Sequence, residues 1–179
     1  MMLRYPTIMD NNKIVGYGGN QKWYHDRFAR LAGCGSVCAT NVVAYYSGKY
    51  EYTKQEYVLK QEMIYEKVKP GNRGYPYVYL YARRMREILN KDFEIIRNPN
   101  YDQGMAFIKL AIDHHNPVSM LILTHRSLRL RDERWHWVTI FGYDERYVYI
   151  STYGKIKKVR SDILFKRHAS NVIKMVRLY

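Results

Sequence analysis

The sequence predicts an α+β domain of two packed layers, and three observations carry this. Apolar residues recur at helical spacing through roughly the first 115 residues, a period of two takes over after Asn116-Pro117, and no repeat or low-complexity segment interrupts either half. A chain of 179 residues fits a single domain, 1–179, on the usual span of roughly 100–200 residues. Such a chain can bury about 70% of its unfolded surface. With 47% hydrophobic and 15% aromatic residues it has the apolar content that disordered chains lack.

The elements follow in order. Tyr17-Gly18-Gly19-Asn20 reads as a loop, and Gln21 follows just before the aromatic pair Trp23 and Tyr24. Leu31-Ala32-Gly33-Cys34-Gly35-Ser36 makes a Gly-flanked approach to a dense apolar run from Val37 to Tyr46, predicting a buried helix that ends at Gly48. A second helix spans Glu51 to Lys67 with Thr53 as its N-cap, and the segment from Pro70 to Gly74 breaks it. Tyr77 to Leu89 and Gln103 to His114 predict two more, the last following the Asn98-Pro99-Asn100 turn. Beyond Pro117, Val118 to Thr124 is β-rich, and Trp135 to Tyr143, Tyr147 to Thr152 and Lys155 to Val159 form an antiparallel meander. Asn171 to Leu178 adds a closing strand.

Charge and cysteine usage bound the function. Thirty Lys plus Arg against sixteen Asp plus Glu give a formal net charge of +14, which suits an anionic polymer or an acidic peptide and equally suits a solvated surface. No apolar run reaches the roughly 18–20 residues of a membrane span, and the first residues lack a signal-peptide core, so the expected location is cytoplasmic. Cys34 and Cys38 are the only cysteines; four apart on one helix, their side chains stack along a face and favour free thiols.

Two residues carry the candidate chemistry. A cysteine at a helix N-terminus meets the positive end of the macrodipole, which stabilises a thiolate, and Cys34 stands there. Gly33 and Gly35 would permit an unusual turn and let a substrate backbone approach. The competing reading is a small buried core residue. His136 opens an apolar strand between Trp135 and Trp137, which would exclude water and strengthen a thiolate–imidazolium pair. Its competing reading is a packed histidine.

The stretches Gly33-Cys34-Gly35-Ser36-x-x-Ala39 and His136-Trp-Val-Thr-Ile-x-Gly-Tyr-Asp144 resemble the papain-like cysteine peptidases of bacteria, and most of all the double-glycine peptidases that cleave bacteriocin leaders. The resemblance runs from about Gly18 to Val159 and is specific only at these stretches and around Gln21. It implies a papain-like fold with Cys34 opening the central helix, His136 opening a strand of the following sheet, and Gln21 as the second oxyanion donor beside the Cys34 amide. It implies a peptide or protein substrate and no cofactor. The family's Asn or Asp one strand after the histidine is missing; the equivalent stretch offers only Ser151 and Thr152, hydroxyls that orient an imidazole without charge. Asp144, the nearest carboxylate in sequence, belongs to a turn and is expected to cap it. The alternative from another class is a papain-like binding module, weak or inactive in catalysis, that uses its charge and nineteen tyrosines on an anionic partner.

The remaining candidates carry less. His114 and His115 at a helix end, with His125, have no metal-ligand spacing, so no metal is expected. Cys38 is expected to pack beneath Cys34, and Tyr75, Tyr77, Tyr79 and Tyr81 fit aromatic packing better than a stacking platform. The sequence leaves the oligomeric state open.

Overall fold

One segment, buried along almost its whole length, organises the chain. In Cys34–Tyr46 (α2) eleven of thirteen residues are buried, and a helix of that kind is stable only when packed all round. A computed structural model describes residues 1–72 and 74–179. Before α2 come a hairpin of β1 (Thr7–Asp10) and β2 (Lys13–Tyr17) and the short helix α1 (Arg27–Ala32), capped by Asp26, whose side chain accepts from the Ala29 amide. After α2, β3 (Glu51–Thr53) pairs in parallel with β1, giving a three-stranded sheet in the order β2-β1-β3. The sequence reading placed Glu51 in a helix. The strand displaces it, and α3 (Lys54–Lys67) starts behind a capping box in which Thr53 and Glu56 satisfy each other's backbone N–H groups.

The break from Pro70 to Gly74 follows, with position 73 lying outside the described residues. Then come α4 (Val78–Leu89), closed by left-handed Asn90, the strand β4 (Phe93–Arg97), and α5 (Tyr101–Asp113), opened by a second capping box from Asn100 and Gln103. The chain ends with β5 (Val118–Thr124), the meander β6 (His136–Tyr143), β7 (Tyr147–Thr152) and β8 (Lys155–Arg160), one helical turn α6 (Ser161–Leu164), and β9 (Val172–Leu178). These strands and β4 form one antiparallel sheet in the order β4-β9-β5-β6-β7-β8. The closing strand the sequence suggested is present as β9, and it lies inside the sheet, between β4 and β5.

The sheet is covered on both faces, which replaces the expected two layers by three. Leu121 and Trp137 join the cluster of α2 and α4, whereas Met120, Ile122, Val138 and Ile140 join that of α5 with Leu164 and Phe165. Alternation along β5 and β6 thus sends successive residues into two cores, and this is why Val118 to Ile122 reads as an unbroken apolar run. The contact of α2 with β6 brings the helix start beside the strand that begins at His136. Among the described residues no helix is long and apolar enough to cross a membrane.

Candidate active site

Cys34 is the first residue of α2, with Gly33 as its N-cap. Gly33 has ordinary angles (φ −82°, ψ 11°); packing requires the glycine, since a Cβ would collide with the Ala29 carbonyl and lie 2.7 Å from the Tyr24 ring. Gly35 is less confined: a Cβ there would lie 3.1 Å from Tyr75 Cβ and 3.3 Å from Trp137 Cδ1, tight contacts without a collision. Neither serves the unusual turn expected from sequence. The Cys34 Sγ lies 4.0 Å from the Trp135 carbonyl. Burial pushes the thiol up to about 11, outweighing the backbone N–H groups of Trp137, Gly35 and Cys34 itself, which favour the thiolate. The helix start does not by itself yield the low-pKa thiol expected from the macrodipole.

His136 is buried at the head of β6, opposite Ile122 of β5. Its ring stacks on Tyr153, with centroids 4.2 Å apart and planes 13° from parallel. Burial pushes the imidazole down to about 4. No hydrogen bond joins it to Cys34 among the described residues, and burial favours the uncharged form of each side chain, raising the thiol and lowering the imidazole. Of the two flanking tryptophans, only Trp137 is sealed in: its Nε1 donates to the Tyr75 carbonyl at 2.7 Å and it stacks on Tyr81. Trp135 is 61% exposed. The ring that covers His136 is that of Tyr153.

Gln21 opens a 3-10 turn, Gln21–Trp23, capped by Asn20, whose side chain accepts from the Lys22 amide. The preceding loop is tied down on three sides. The Gly19 amide donates to Asn41 Oδ1 of α2 at 2.7 Å, the Asn20 amide to Gln61 Oε1 of α3 at 3.1 Å, and Asn20 Nδ2 to the Tyr153 carbonyl at 2.9 Å. The Gln21 Nε2 donates to the Arg30 carbonyl at 2.9 Å, while its Oε1 is buried without a partner. Ser151 Oγ donates to the Tyr17 carbonyl at 2.6 Å, so its hydrogen is committed to the first hairpin. Thr152 is 7% exposed, and its Oγ1 is buried with no hydrogen bond.

These pieces meet. Cys34, His136, Gln21, Ser151 and Thr152 line one narrow cavity of about 10 Å³, roughly the space of a single water. Cys38 lies under it, its Sγ donating to the Val138 carbonyl at 3.3 Å, and both cysteines are free. Beside this cavity runs an apolar groove of about 670 Å³, lined by Cys34, Phe28, Leu31, Tyr75, Trp135 and Trp137 among others, so Cys34 stands at the junction of the two. The other sequence candidates stay outside. Asp144 caps its turn, accepting from the Arg146 and Tyr147 amides and the Tyr149 hydroxyl. His114 faces the Leu110 carbonyl, and buried His125 faces that of Leu164. Sequence reasoning missed Tyr153 and Asn20, although a Tyr-Gly pair between two strands was a readable signal, taken up below.

The fold is the papain-like one of double-glycine peptidases. No protein-family model matches the sequence, and no curated protein matches it. Among solved structures, the chain resembles a double-glycine motif protease from an AMS/PCAT transporter, solved in complex with its leader peptide, with a TM-score of 0.55 at 13% identity over 99% of this chain and 93% of that one. It also resembles a protein described as a C39-like peptidase from Bacillus anthracis, with a TM-score of 0.50 at 14% identity over 80% of this chain and 88% of that one.

Proposed function

We propose that the protein is a cysteine peptidase or a related thiol acyl-transfer enzyme acting on a peptide. The observation that carries this reading is that Cys34, His136, Gln21 and Thr152, drawn from four separate segments, line a single cavity beside an apolar groove that Cys34 also lines. Because the resting pair is neutral, His136 acts as a general base when substrate arrives: it takes the Cys34 proton as Sγ attacks the carbonyl carbon. The Cys34 amide and the Gln21 side-chain amide donate to the oxyanion. As the tetrahedral species collapses, the imidazolium gives its proton to the leaving amine, and water or an acceptor amine then resolves the thioester. Thr152, the hydroxyl with an unused buried oxygen, stands in the place of the orienting residue, since Ser151 is committed to Tyr17. The groove holds the residues on the acyl side.

A peptidyl chloromethyl ketone ending in Gly-Gly tests the reading. Its adduct should map to Cys34 and be lost in His136→Ala; an adduct on Cys38, or none, would overturn the assignment.

The second reading, a binding module for an anionic partner, is favoured by a hollow of about 490 Å³ rimmed by Arg126, Arg129, Lys166 and His168. Among the described residues no carboxylate pairs with these three cations. Retention on heparin resin that falls steeply between 50 and 200 mM salt, on the order of tenfold or more for a few phosphate-like contacts, supports it. A flow-through at low salt would remove it.

A further inference from the structure

Backbone conformation singles out a residue that the proposed reaction does not otherwise use. Among the described residues, seven that are not glycine have positive φ. Four are asparagine and one is His115, types that tolerate the left-handed region. The other two are Trp135 (φ 54°) and Tyr153 (φ 50°), bulky aromatics for which this region is costly, and both stand beside the candidate site.

Tyr153 occupies a position with a strong preference for something else. It and Gly154 (φ 71°) are the two loop residues between Thr152 and Lys155, which pair across β7 and β8. Left-handed angles at both loop positions are the type I′ pattern, whose favoured sequence is Asn-Gly. A second two-residue hairpin, between Asp10 and Lys13, follows the preference with Asn11-Asn12 at φ 48° and 59°. Tyrosine at position 153 therefore works against its own turn, and three contacts hold it there. Its ring lies flat on His136, its hydroxyl donates to the Asp132 carbonyl at 3.0 Å, and its carbonyl accepts from Asn20 Nδ2, the residue that also caps the Gln21 turn. Meanwhile His136 has no hydrogen bond from either ring nitrogen among the described residues, so stacking is the contact that sets its plane.

We propose that Tyr153 is a positioning residue: its ring fixes the plane of the His136 imidazole against Cys34, in place of the charged or amide partner the site lacks. The inference rests on the dyad reading above. Stacking restrains the tilt of the imidazole and leaves its nitrogens free, so Thr152 Oγ1 and Cys34 remain available to them. It also keeps water from one ring face. Among the described residues the other titratable groups lining the cavity are Cys34 and Cys38, and the carboxylates of Glu133 and Asp132, which act on Tyr153 from outside, do not line it.

The test uses the full chain with Tyr153→Asn, Tyr153→Phe and, as a second turn-compatible change, Tyr153→Gly. Asn and Gly suit the turn, so both variants should keep or raise the thermal midpoint, which separates positioning from folding. Two readouts follow the ring. The His136 titration, followed by NMR, should move up by at least one pH unit from about 4 in Tyr153→Asn and Tyr153→Gly and stay in place in Tyr153→Phe. In a double-mutant cycle on iodoacetamide alkylation of Cys34 at pH 6, His136→Ala should cost about tenfold in the native and Tyr153→Phe backgrounds and less than threefold in Tyr153→Asn. An unmoved His136 titration in Tyr153→Asn overturns the proposal, as does a shift of equal size in Tyr153→Phe, which would give the role to the hydroxyl. If His136→Ala has no effect on alkylation even in the native chain, the dyad reading fails; the NMR arm still decides whether Tyr153 orders the ring.

Discussion

The reactivity of Cys34 against pH should have two regimes whose sizes follow from the site. With its thiol pushed up to about 11, Cys34 is thiolate in only about one molecule in ten thousand at pH 7, and this fraction grows tenfold per pH unit. Proton transfer to His136, held down to about 4, starts from a deficit of about seven decades. Attraction between the charges so formed, about 4 kcal/mol at roughly 4 Å and an effective dielectric near 20, returns about three of them. The ion pair is then also populated at about one in ten thousand, independent of pH between the two values. Iodoacetamide alkylation of Cys34, measured by mass spectrometry from pH 5 to 10, should rise with unit slope above about pH 7 and level to a floor below it. His136→Ala should remove the floor. Thr152→Asp should raise it about tenfold to a thousandfold, since a carboxylate beside an imidazole lifts its pKa by about one to three units, and Thr152→Asn should raise it less. A full-rate plateau between pH 5 and 8 in the native chain would mean a preformed ion pair and refute the neutral resting state. A floor unchanged in Thr152→Asp would refute the role of Thr152.

Burial of His136 also makes stability depend on pH. Its folded value of about 4 lies below the unfolded 6.5, so the unfolded chain binds the proton first and about 3 kcal/mol present above pH 6.5 is lost as pH falls to about 4; chemical denaturation at pH 7 and 4.5 should show this loss, and His136→Gln should reduce it. The buried Glu133 carboxylate is held by Lys157 Nζ at 2.8 Å, which also donates to the Arg129 carbonyl and so ties down the 3-10 segment Leu128–Glu133 that leads to His136. Lys157→Met strands that charge and should cost about 2 kcal/mol in urea titration, short of the roughly 3–5 of a fully buried pair because the lysine side chain is 33% exposed. Gly33→Ala, which forces a methyl into the Ala29 carbonyl and the Tyr24 ring, should cost about 1–3 kcal/mol by the same assay, and an unchanged midpoint would show that α1 can yield.

The legible parts of the fold were those in which local chemistry and burial agree. The dense run after Cys34 became α2, Thr53 capped α3 as its hydroxyl suggested, and the turns at Asp144 and Tyr153-Gly154 divided the meander where a period of two was visible. What stayed hidden depended on partners distant in sequence. Glu51 to Thr53 has no strand signature beyond one buried tyrosine and is a strand only because β1 lies beside it. Phe93 to Arg97 is half-covered and pairs with the far end of the chain, at Lys174 to Leu178. The place of β9 inside the sheet is set by pairing with both β4 and β5, which alternation in one strand does not encode.

At the site, residue types were readable and their electrostatics were not. Cys34 and His136 could be chosen from sequence because a Gly-flanked helix start and an apolar strand head are local patterns, Gln21 only through the resemblance to double-glycine peptidases, and the structure brings the three to one cavity. Their protonation was misjudged because the macrodipole is a property of the helix, whereas desolvation depends on what covers its first turn. Here the cover is Trp137 of β6 and the Tyr153 hairpin, contributed more than 100 residues downstream. The same cover bears on the proposed reaction, in which a dyad without a charged third member would act by general-base chemistry. A carboxylate partner would raise the imidazole and favour the ion pair at rest, whereas burial without such a partner lowers it and favours the neutral ring that a general base needs. On the proposed reading proton transfer would be coupled to substrate arrival, because a bound carbonyl, with the oxyanion donors around it, would supply stabilisation that the empty cavity lacks.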